Sequence, residues 1–388
     1  MIQPFNDFLA HKPLYYKEID PARVHQAYAI LKPQINHPRT VHIVGTNGKG
    51  STGRMMAHLA YCSGLKVGHF SSPHIRKFNE RIWINGSESS DEVLQSAHQK
   101  LFPLLGREMC DALSYFEYTT LLAFVVFESC DLIVLEAGLG GEYDATNVCD
   151  KVLSIITPIG FDHQAFLGDT IEAIATTKIR SIQKELLLAP QRYHEVEEVA
   201  SRIAAQRGAI LHIGGCTKEN KEILEAFSAQ KGWAPYLIAN GCVGLQALDI
   251  LKIDYRIQDL ASLELFGRFY PLADNIHIDV GHNPLAAEVI VNALEEKVVL
   301  VYNSLDDKDY RTVLEILKPK VKRVELIAIQ TERGVTRAKI EEALKQTAIP
   351  YGDFTGEING GEHYLVFGSF YVVEAFLDQY EKREDVSK

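Results

Sequence analysis

The 388-residue sequence lacks the paired cysteines of a zinc site or of a small disulfide-stapled domain. It contains no Cys-x-x-Cys pair, and its six cysteines are far apart, at Cys62, Cys110, Cys130, Cys149, Cys216 and Cys242. We expect them to be reduced and mostly buried. A long hydrophobic run is also missing, because the longest, at residues 121–127, is far shorter than the roughly 20 residues of a membrane span. The first residues show no cationic start followed by an apolar block, so we expect a cytoplasmic protein.

Basic residues are not in excess either. The chain has 40 Lys and Arg against 51 Asp and Glu, a formal net charge of −11, which argues against general binding to nucleic acid. Any phosphate must therefore be bound at a local site. Hydrophobic residues make up 46% and charged residues 23%, as in an ordinary globular protein. At roughly 150 residues per domain, the length predicts two or three domains.

Strand and helix patterns alternate along most of the chain. Residues 41–70 read as a strand (VHIV), a glycine-rich turn (GTNGKG), a helix ending near Gly64 and a second strand (KVGHF). Further strands are DLIVLE and KVLSIITPI, and a helix with Asp169 and Thr170 as candidate N-caps follows to about residue 183. This alternation predicts an α/β protein with a parallel sheet covered by helices on both faces.

The pattern weakens between residues 214 and 266, where one helix is expected at about 243–251. A new alternation begins at Asn275 and continues to the last helix, which predicts a second, smaller α/β domain. We place the hinge at about residues 266–274, because Gly267 and Pro271 bracket a segment with no sustained hydrophobic period.

The strongest chemical signal is GTNGKGST at residues 45–52, between a strand and a helix. Glycines let backbone N–H groups face an anion, the helix N-terminus adds positive potential, and Lys49 can reach the outer phosphates. The segment departs from the common P-loop pattern, since Ile43 takes the place of the first glycine and Gly50 separates Lys49 from Ser51. A glycine-rich turn without a ligand is the alternative, but the lysine and the strand-to-helix context favour phosphate binding.

Two further polar groups follow predicted strands. Glu136 closes DLIVLE before a glycine-rich turn, and Asp162 and His163 follow SIITPI. Each alone is compatible with an ordinary solvated acid or a hydrogen-bonded structural histidine. Ligands of an open parallel sheet bind at the carboxyl ends of its strands, so their occurrence on successive strand ends favours a Mg²⁺ site.

Seven motifs in this order resemble the folylpolyglutamate synthase and dihydrofolate synthase family, relatives of the Mur ligases: GTNGKGST, SSPH with FNERIWING, YFEY, LEAGLGGEYDATN, FDH, GRF and DVGHNP. The resemblance implies a P-loop-type ATP-binding domain at residues 1–268 and a smaller Rossmann-like glutamate ligase domain at residues 274–388, with the active site between them. It implies a ligase that uses ATP and Mg²⁺ to activate a carboxylate as an acyl phosphate, which the amino group of L-glutamate attacks. The acceptor would be dihydropteroate, a reduced folate or both.

The resemblance also implies roles for individual residues. The phosphate-binding residues are Asn47, Gly48, Lys49, Gly50, Ser51 and Thr52. The metal ligands are Ser72, Glu136 and His163. Adenine is contacted by Asn240, the triphosphate by Arg268 and the ribose by Asp279, with His282 beside it. The residues with catalytic roles are Lys49, His163 and Lys178.

Lys178 matches a lysine that is carbamylated in the family, although Lys178-Ile179-Arg180-Ser181 replaces the usual Lys-Ala-Gly-Ile; the alternative is a solvated helix lysine. The pterin is implied to contact residues 74–81 and Tyr115, Phe116 and Asp144, with core packing as the alternative for the YFEY aromatics. The sequence has GGEYD where the family often has GGRLD, a change that can alter how the glutamyl tail is held.

Two other functions compete with this one. A Mur-type ligase of UDP-linked sugars is disfavoured because only 40 residues precede VHIVGTNGKG, too few for an additional sugar-nucleotide domain. A non-catalytic nucleotide-binding regulator on the same fold is disfavoured by the joint presence of Lys49, Glu136, His163 and Lys178. The expected partners are small molecules (dihydropteroate or reduced folate, L-glutamate and ATP), with no nucleic acid and no membrane, and the family resemblance favours a monomer.

Overall fold

The computed structural model describes residues 2–13 and 20–386. Two compact units make up the chain. The first comprises Met1–Ile159, Leu167–Thr217 and Asn240–Leu263, and the second comprises Gly160–Phe166, Lys218–Ala239 and Glu264–Lys388. The domain boundary inferred at residues 268–274 stays a prediction.

The secondary structure alternates as the α/β prediction requires. The strands are β1 (Arg39–Val44), β2 (Val67–Phe70), β3 (Ile82–Ile84), β4 (Ser87–Glu88), β5 (Leu132–Glu136), β6 (Leu153–Ile156), β7 (Glu185–Leu188), β8 (Ile210–Ile213), β9 (Tyr270–Ala273), β10 (Ile276–Asp279), β11 (Val298–Tyr302), β12 (Val321–Leu326), β13 (Tyr351–Asp353) and β14 (Tyr364–Phe367). The α-helices are α1 (Phe5–Ala10), α2 (Pro21–Leu31), α3 (Lys49–Cys62), α4 (Asp91–Ala112), α5 (Tyr115–Val126), α6 (Gln164–Leu167), α7 (Ile171–Ile179), α8 (His194–Arg207), α9 (Lys218–Lys231), α10 (Pro235–Leu251), α11 (Pro284–Ala293), α12 (Tyr310–Leu317), α13 (Arg337–Thr347) and α14 (Phe370–Val386).

The first unit contains an eight-stranded sheet in the order β4-β3-β2-β5-β1-β6-β7-β8. Strands β2, β5, β1, β6, β7 and β8 are parallel, whereas β3 and β4 extend the sheet as an antiparallel edge. All residues of β5 and β6 are buried, as expected for strands covered on both faces. Because β1 lies between β5 and β6, the loop after β1, the end of β5 and the end of β6 meet at the same edge.

The second unit contains a six-stranded sheet in the order β13-β12-β11-β14-β10-β9, parallel except for β9. Its core includes the buried side chains of β11 and β14 and the inner faces of α11, α12 and α13. The carboxyl ends of β10, β14 and β11 are adjacent, with Asp279 opposite Phe367 and Phe367 opposite Tyr302.

Several local predictions are confirmed. The strand–loop–helix–strand unit at the start is β1, α3 and β2, and Gly64 follows the end of α3 with a φ of 97°. Thr170 is the N-cap of α7, since its side chain accepts a hydrogen bond from the Ala173 backbone N–H.

Other local predictions are wrong. The region from 214 to 266 holds α9 and the whole of α10, not one short helix, and the segment from 266 to 274 contains β9. Cys216 and Cys242 form a disulfide with their Cα atoms 5.2 Å apart, so the expectation that every cysteine is reduced fails for this pair. They are 26 residues apart in sequence, and only the fold brings them together. Within the described part of the chain, no helix is long and apolar enough to cross a membrane.

Candidate active site

The glycine-rich loop joins β1 to α3 at the point where β1 lies between β5 and β6. Gly48 is the N-cap of α3 and has a left-handed φ of 85°, which glycine adopts without the strain of a side chain. A Cβ atom at Gly45 would lie 1.9 Å from the Thr157 hydroxyl oxygen, so only glycine allows this approach to the end of β6. The backbone N–H groups of Thr46 and Asn47 donate to the Pro158 carbonyl at 3.0 and 3.2 Å. The loop is therefore held rigidly at the N-terminus of a 14-residue helix, an arrangement that suits an anionic phosphate.

Lys49 folds back over this loop. Its Nζ donates to the carbonyl oxygens of Gly45 and Thr46 at 3.3 and 3.2 Å and lies 3.8 Å from Glu136 Oε1. Glu136 is the last residue of β5 and is only 4% exposed. The backbone N–H of Ser72 donates to Glu136 Oε2 at 3.3 Å. The first unit thus brings together Lys49, Glu136 and Ser72.

Lys178 joins the same group from α7. The side chain is buried, and its Nζ donates to the Gly45 carbonyl at 2.9 Å, the same oxygen that Lys49 contacts. A Cβ atom at Gly141 would lie 2.5 Å from the Lys178 carbonyl oxygen, so the glycine-rich turn after β5 packs closely against α7. The sequence alternative of a solvated helix lysine is therefore wrong.

Asn240 contacts the glycine-rich loop from α10. Its Nδ2 donates to Ser51 Oγ at 2.7 Å, and a Cβ atom at Gly48 would lie 2.7 Å from Asn240 Oδ1. Thr52 is fully buried, and no group in the described part of the chain hydrogen-bonds to its hydroxyl oxygen. Asn240 therefore lies beside the predicted phosphate loop, which sequence spacing alone could not show.

The residues predicted to contact a pterin lie near the turn after β5. Phe116 covers Gly138, where a Cβ atom would come within 2.7 Å of the ring. The guanidinium of Arg81 lies over the Tyr115 ring at 5.3 Å. Tyr118 is fully buried and pairs with His98, so core packing is the correct interpretation for this aromatic residue.

Asp144 is buried in the same turn, and burial raises its pKa above the usual value. Its carboxylate accepts hydrogen bonds from the Leu139 N–H at 2.8 Å, the Thr146 N–H at 3.0 Å and the Thr146 hydroxyl at 2.5 Å. The Gly138 backbone also hydrogen-bonds to this carboxylate, so the turn uses about all four of its acceptor positions.

The second unit holds the remaining predicted residues. His163 has a left-handed φ of 53°, and its neighbour Asp162 is at the centre of a charged cluster. Asp162 Oδ1 lies 2.6 Å from Lys308 Nζ, and Asp162 Oδ2 lies 3.6 Å from His282 Nε2. Lys308 Nζ is also 3.4 Å from His163 Nε2. Burial alone would raise the pKa of Asp162, but its contacts with His282, Lys308 and His163 hold that pKa well below the usual value.

Lys308 is the functional candidate that sequence reasoning missed. Its side chain is only 4% exposed, unusual for a lysine, and it lies in the SLDDKD segment after β11. The available signal was its place after a strand end of the second α/β repeat, the criterion that selected Glu136.

Asp279 ends β10 and is 4% exposed. Its Oδ1 accepts from the Gly281 N–H at 2.7 Å, and its Oδ2 accepts from the Phe269 N–H at 2.8 Å and the Tyr236 hydroxyl at 2.7 Å. Burial raises the pKa of Asp279, although these hydrogen bonds oppose the shift. Arg268 precedes Phe269 and places its guanidinium 5.4 Å from the centre of the Phe370 ring.

The donor atoms in the first unit fit a divalent cation such as Mg²⁺. A carboxylate and a hydroxyl provide hard oxygen ligands, and Mg²⁺ usually takes one or two protein carboxylates together with substrate phosphates and water. Among residues 2–13 and 20–386, no group of three or more His, Cys, Asp and Glu side chains could hold a metal ion. The third predicted ligand, His163, belongs to the second unit.

A glycine-rich loop at the N-terminus of a helix, with a lysine and a buried strand-end carboxylate beside it, defines a nucleotide-dependent α/β enzyme. No protein-family model matches the chain. It is 30% identical to the dihydrofolate synthase/folylpolyglutamate synthase of Haemophilus influenzae over 87% of this chain and 88% of that protein. It is also similar to the crystal structure of Helicobacter pylori folylpolyglutamate synthetase, with 37% identity, a TM-score of 0.78 and coverage of 97% of this chain and 98% of that chain.

A bifunctional folylpolyglutamate synthase/dihydrofolate synthase crystallised with Mn, AMPPNP and L-glutamate is 25% identical, with a TM-score of 0.82 and 98% of each chain covered. The chain belongs to the dihydrofolate synthase/folylpolyglutamate synthase family, and it is an ATP-dependent ligase. The resemblance and fold class inferred from the motifs are confirmed. The UDP-sugar ligase and the non-catalytic regulator are set aside.

Proposed function

We propose that this ligase adds L-glutamate to both dihydropteroate and reduced folates through an acyl-phosphate intermediate. The observation that carries the proposal is the convergence of Lys49, Glu136 and Lys178 on the loop between β1 and α3. A carboxylate acceptor and a triphosphate are both anionic, so their reaction requires cations at this place. The family's named activities, adding glutamate in both synthases, supply the substrate class.

Different residues of the chain have different roles in the proposed reaction. The N–H groups at the start of α3 and the Lys49 ammonium hold the phosphates, and the strand-end position of Glu136 orients a carboxylate toward them. Ser72 and Glu136 would hold a divalent cation, with His163 as the third predicted ligand; when bound, the cation offsets the charge repulsion between the reactants. In the second unit, Arg268, Asp279 and His282 are proposed to contact the nucleotide.

The proposed pterin site consists of Tyr115, Phe116 and Asp144. Phe116 packs against Gly138, and its aromatic ring is the proposed stacking surface for the pterin. Asp144 is proposed as the polar partner of the pterin, and a pterin N–H would replace one of the hydrogen bonds that this carboxylate accepts within the turn.

Carbamylation of Lys178 is a separate part of the proposal. Burial near the cation Lys49 favours a negatively charged modification, because a second buried ammonium at this place is electrostatically costly. An intact-mass measurement at high bicarbonate tests it, since a carbamate adds one CO₂. Small carboxylic acids should partly restore a Lys178→Ala variant; an unmodified mass together with no rescue contradicts carbamylation.

The test of the activity is glutamate-dependent ADP release by the purified protein, in parallel with 7,8-dihydropteroate and with tetrahydrofolate. Turnover with both substrates supports the bifunctional proposal, and turnover with one assigns a single step. The matched control omits glutamate, because ATP hydrolysis without glutamate would indicate an uncoupled ATPase. Turnover with neither substrate contradicts the proposal.

We further propose that the protein is a monomer in the cytoplasm that binds neither nucleic acid nor membrane. The net charge of −11 supports the absence of nucleic-acid binding, since it disfavours contact with polyanions, and the monomeric state rests on the family resemblance. Sedimentation at working concentration tests the oligomeric state, and a stable dimer would contradict it. Localisation of a tagged full-length chain tests the compartment.

A further inference from the structure

The carboxylate of Asp279 has few acceptor positions left for a ligand. An ionised carboxylate offers about four lone-pair positions, two on each oxygen. Asp279 Oδ2 accepts from the Phe269 N–H and from the Tyr236 hydroxyl, and this fills both of its positions. Among the described residues, the Gly281 N–H is the hydrogen-bond donor to Asp279 Oδ1. One acceptor position on Oδ1 is therefore available.

The two backbone donors are fixed by the chain's path. Gly281 lies two residues beyond Asp279 in the turn after β10, and a Cβ atom there would lie 2.9 Å from Asp279 Oδ1. Phe269 has a left-handed φ of 45°, a costly conformation for a residue with a large side chain, and its N–H points at Oδ2. These contacts cannot be changed without changing the local backbone.

The third donor is a side chain, so it can be removed by substitution. Tyr236 lies in the first turn of α10, and its half-buried ring packs against the core of the second unit. Its hydroxyl reaches Asp279 Oδ2 at 2.7 Å, a short distance typical of a charge-assisted hydrogen bond. The core contact of the ring fixes where the hydroxyl lies.

We propose that Tyr236 is a positioning residue that restricts Asp279 to accepting a single ribose hydroxyl of the nucleotide. By occupying the last position on Oδ2, it leaves one acceptor on Oδ1 and prevents the carboxylate from binding both the 2′- and the 3′-hydroxyl. The inference rests on the proposed function, in which Asp279 contacts the ribose. It adds that nucleotide recognition is sensitive to one hydroxyl and tolerant of the other.

The test compares direct binding of ADP, 2′-deoxy-ADP and 3′-deoxy-ADP to the full chain by calorimetry. A hydrogen bond to a charged group makes loss of one hydroxyl weaken binding roughly tenfold or more, and loss of the other should change the Kd less than about threefold. In Tyr236→Phe, the second Oδ2 position becomes free, so the ratio between the two deoxynucleotide affinities should fall toward one. Equal losses for both deoxynucleotides in the unsubstituted chain, or an unchanged ratio in Tyr236→Phe, overturn the inference.

A matched control separates this role from a general loss of a tyrosine hydroxyl. Tyr255 donates to Asp249 at 3.0 Å in the first unit, so Tyr255→Phe removes a similar hydrogen bond and should leave the ratio unchanged.

The Asp279→Asn variant separates a failure of the ribose role of Asp279 from a failure of the inference about Tyr236. If the unsubstituted chain binds all three nucleotides equally, and Asp279→Asn binds ADP as tightly as the unsubstituted chain does, the ribose role proposed for Asp279 fails. The inference about Tyr236 then fails with it. If Asp279→Asn weakens binding but Tyr236→Phe leaves the ratio unchanged, only the inference fails.

Discussion

Glu136 and Asp279 occupy equivalent places in the two units, yet their surroundings differ. Each is the last residue of a buried parallel strand, and each is 4% exposed. Glu136 lies 3.8 Å from the ammonium of Lys49, whereas Asp279 accepts three hydrogen bonds from two backbone N–H groups and a tyrosine hydroxyl. A strand-end acid can thus face a lysine ammonium or accept several hydrogen bonds from the surrounding framework, and its position in the sheet does not decide which.

The comparison predicts the largest effect for loss of the cation beside Glu136. Lys49→Ala should lower ATP turnover about 10³-fold with the fold intact, because the charge that stabilises the transferring phosphoryl group is removed. Glutamate-dependent ADP release and circular dichroism measure the two quantities. Lys100→Ala is the control, since Lys100 forms a close ion pair with Glu128 on the surface. Turnover of Lys49→Ala equal to that of the control would exclude the site assignment.

Neutralising Glu136 should mainly lower turnover, whereas neutralising Asp279 should mainly lower the stability of the fold. Glu136→Gln should lower turnover at saturating ATP about 100-fold, because it removes the carboxylate beside the phosphate loop. Asp279→Asn should instead cost about 1–3 kcal/mol of unfolding free energy, because an amide NH₂ then faces donors of the framework. Urea unfolding and ADP release are measured on both variants. A larger turnover loss at saturating ATP in Asp279→Asn than in Glu136→Gln contradicts the comparison.

Two buried groups, His69 in the first unit and Asp279 in the second, should make opposite contributions to stability in acid. Burial holds the pKa of His69 well below 6.5, so only the unfolded chain takes up a proton below that pH and stability falls as pH drops from 7 to 5. The slope for one proton is about 1.4 kcal/mol per pH unit, and His69→Asn should remove this contribution while that of the buried His42 remains. The control is His194→Asn, which changes an exposed histidine of α8.

The pKa of Asp279 is raised in the folded chain, so the native state takes up a proton before the unfolded chain does as pH falls toward 3.8. The unsubstituted chain should therefore gain stability relative to Asp279→Asn over that interval. Urea unfolding of both at a series of pH values measures the difference. A relative loss on acidification would contradict the sign expected for a buried acid.

The smallest effects concern helix caps in the two units. Thr170 is exposed and caps α7 through the Ala173 N–H, so Thr170→Ala should cost about 1 kcal/mol. Asn283 is buried, caps α11 through the Ala286 N–H and also donates to Asp162 at 3.3 Å. Asn283→Ala should cost about 2 kcal/mol, since a buried polar group also loses its partner. Equal costs in thermal unfolding would show that burial adds nothing to this cap.

Much of the fold could be predicted because its signals are local. β1, the glycine-rich loop and α3 follow from an apolar run, from glycines and from helical spacing. Local signals do not predict β9, because the segment contains Pro271 and its hydrophobic residues do not alternate regularly. The strand forms because it pairs with β10. The first half of α10 was missed because Pro235 and two glycines weaken its helical pattern.

The candidate site likewise contains residues that a local signal predicts and residues that it does not. Lys49, Glu136 and Asp279 could be selected from the sequence because each lies next to a strand end. Lys308 lies further beyond its strand end than these residues do, and its contact with Asp162 joins residues 146 positions apart. The Cys216–Cys242 disulfide was likewise not predictable from two cysteines without a spacing signature.

The sequence by itself determined the α/β class, the phosphate loop and the family, because alternating hydrophobicity and short motifs depend only on neighbouring residues. The tertiary structure alone decided which partners each selected residue has. Tyr236 reaches Asp279 across 43 positions, and Lys178 reaches the Gly45 carbonyl across 133. Such contacts depend on how packed strands and helices align, and a local pattern carries no information about that alignment.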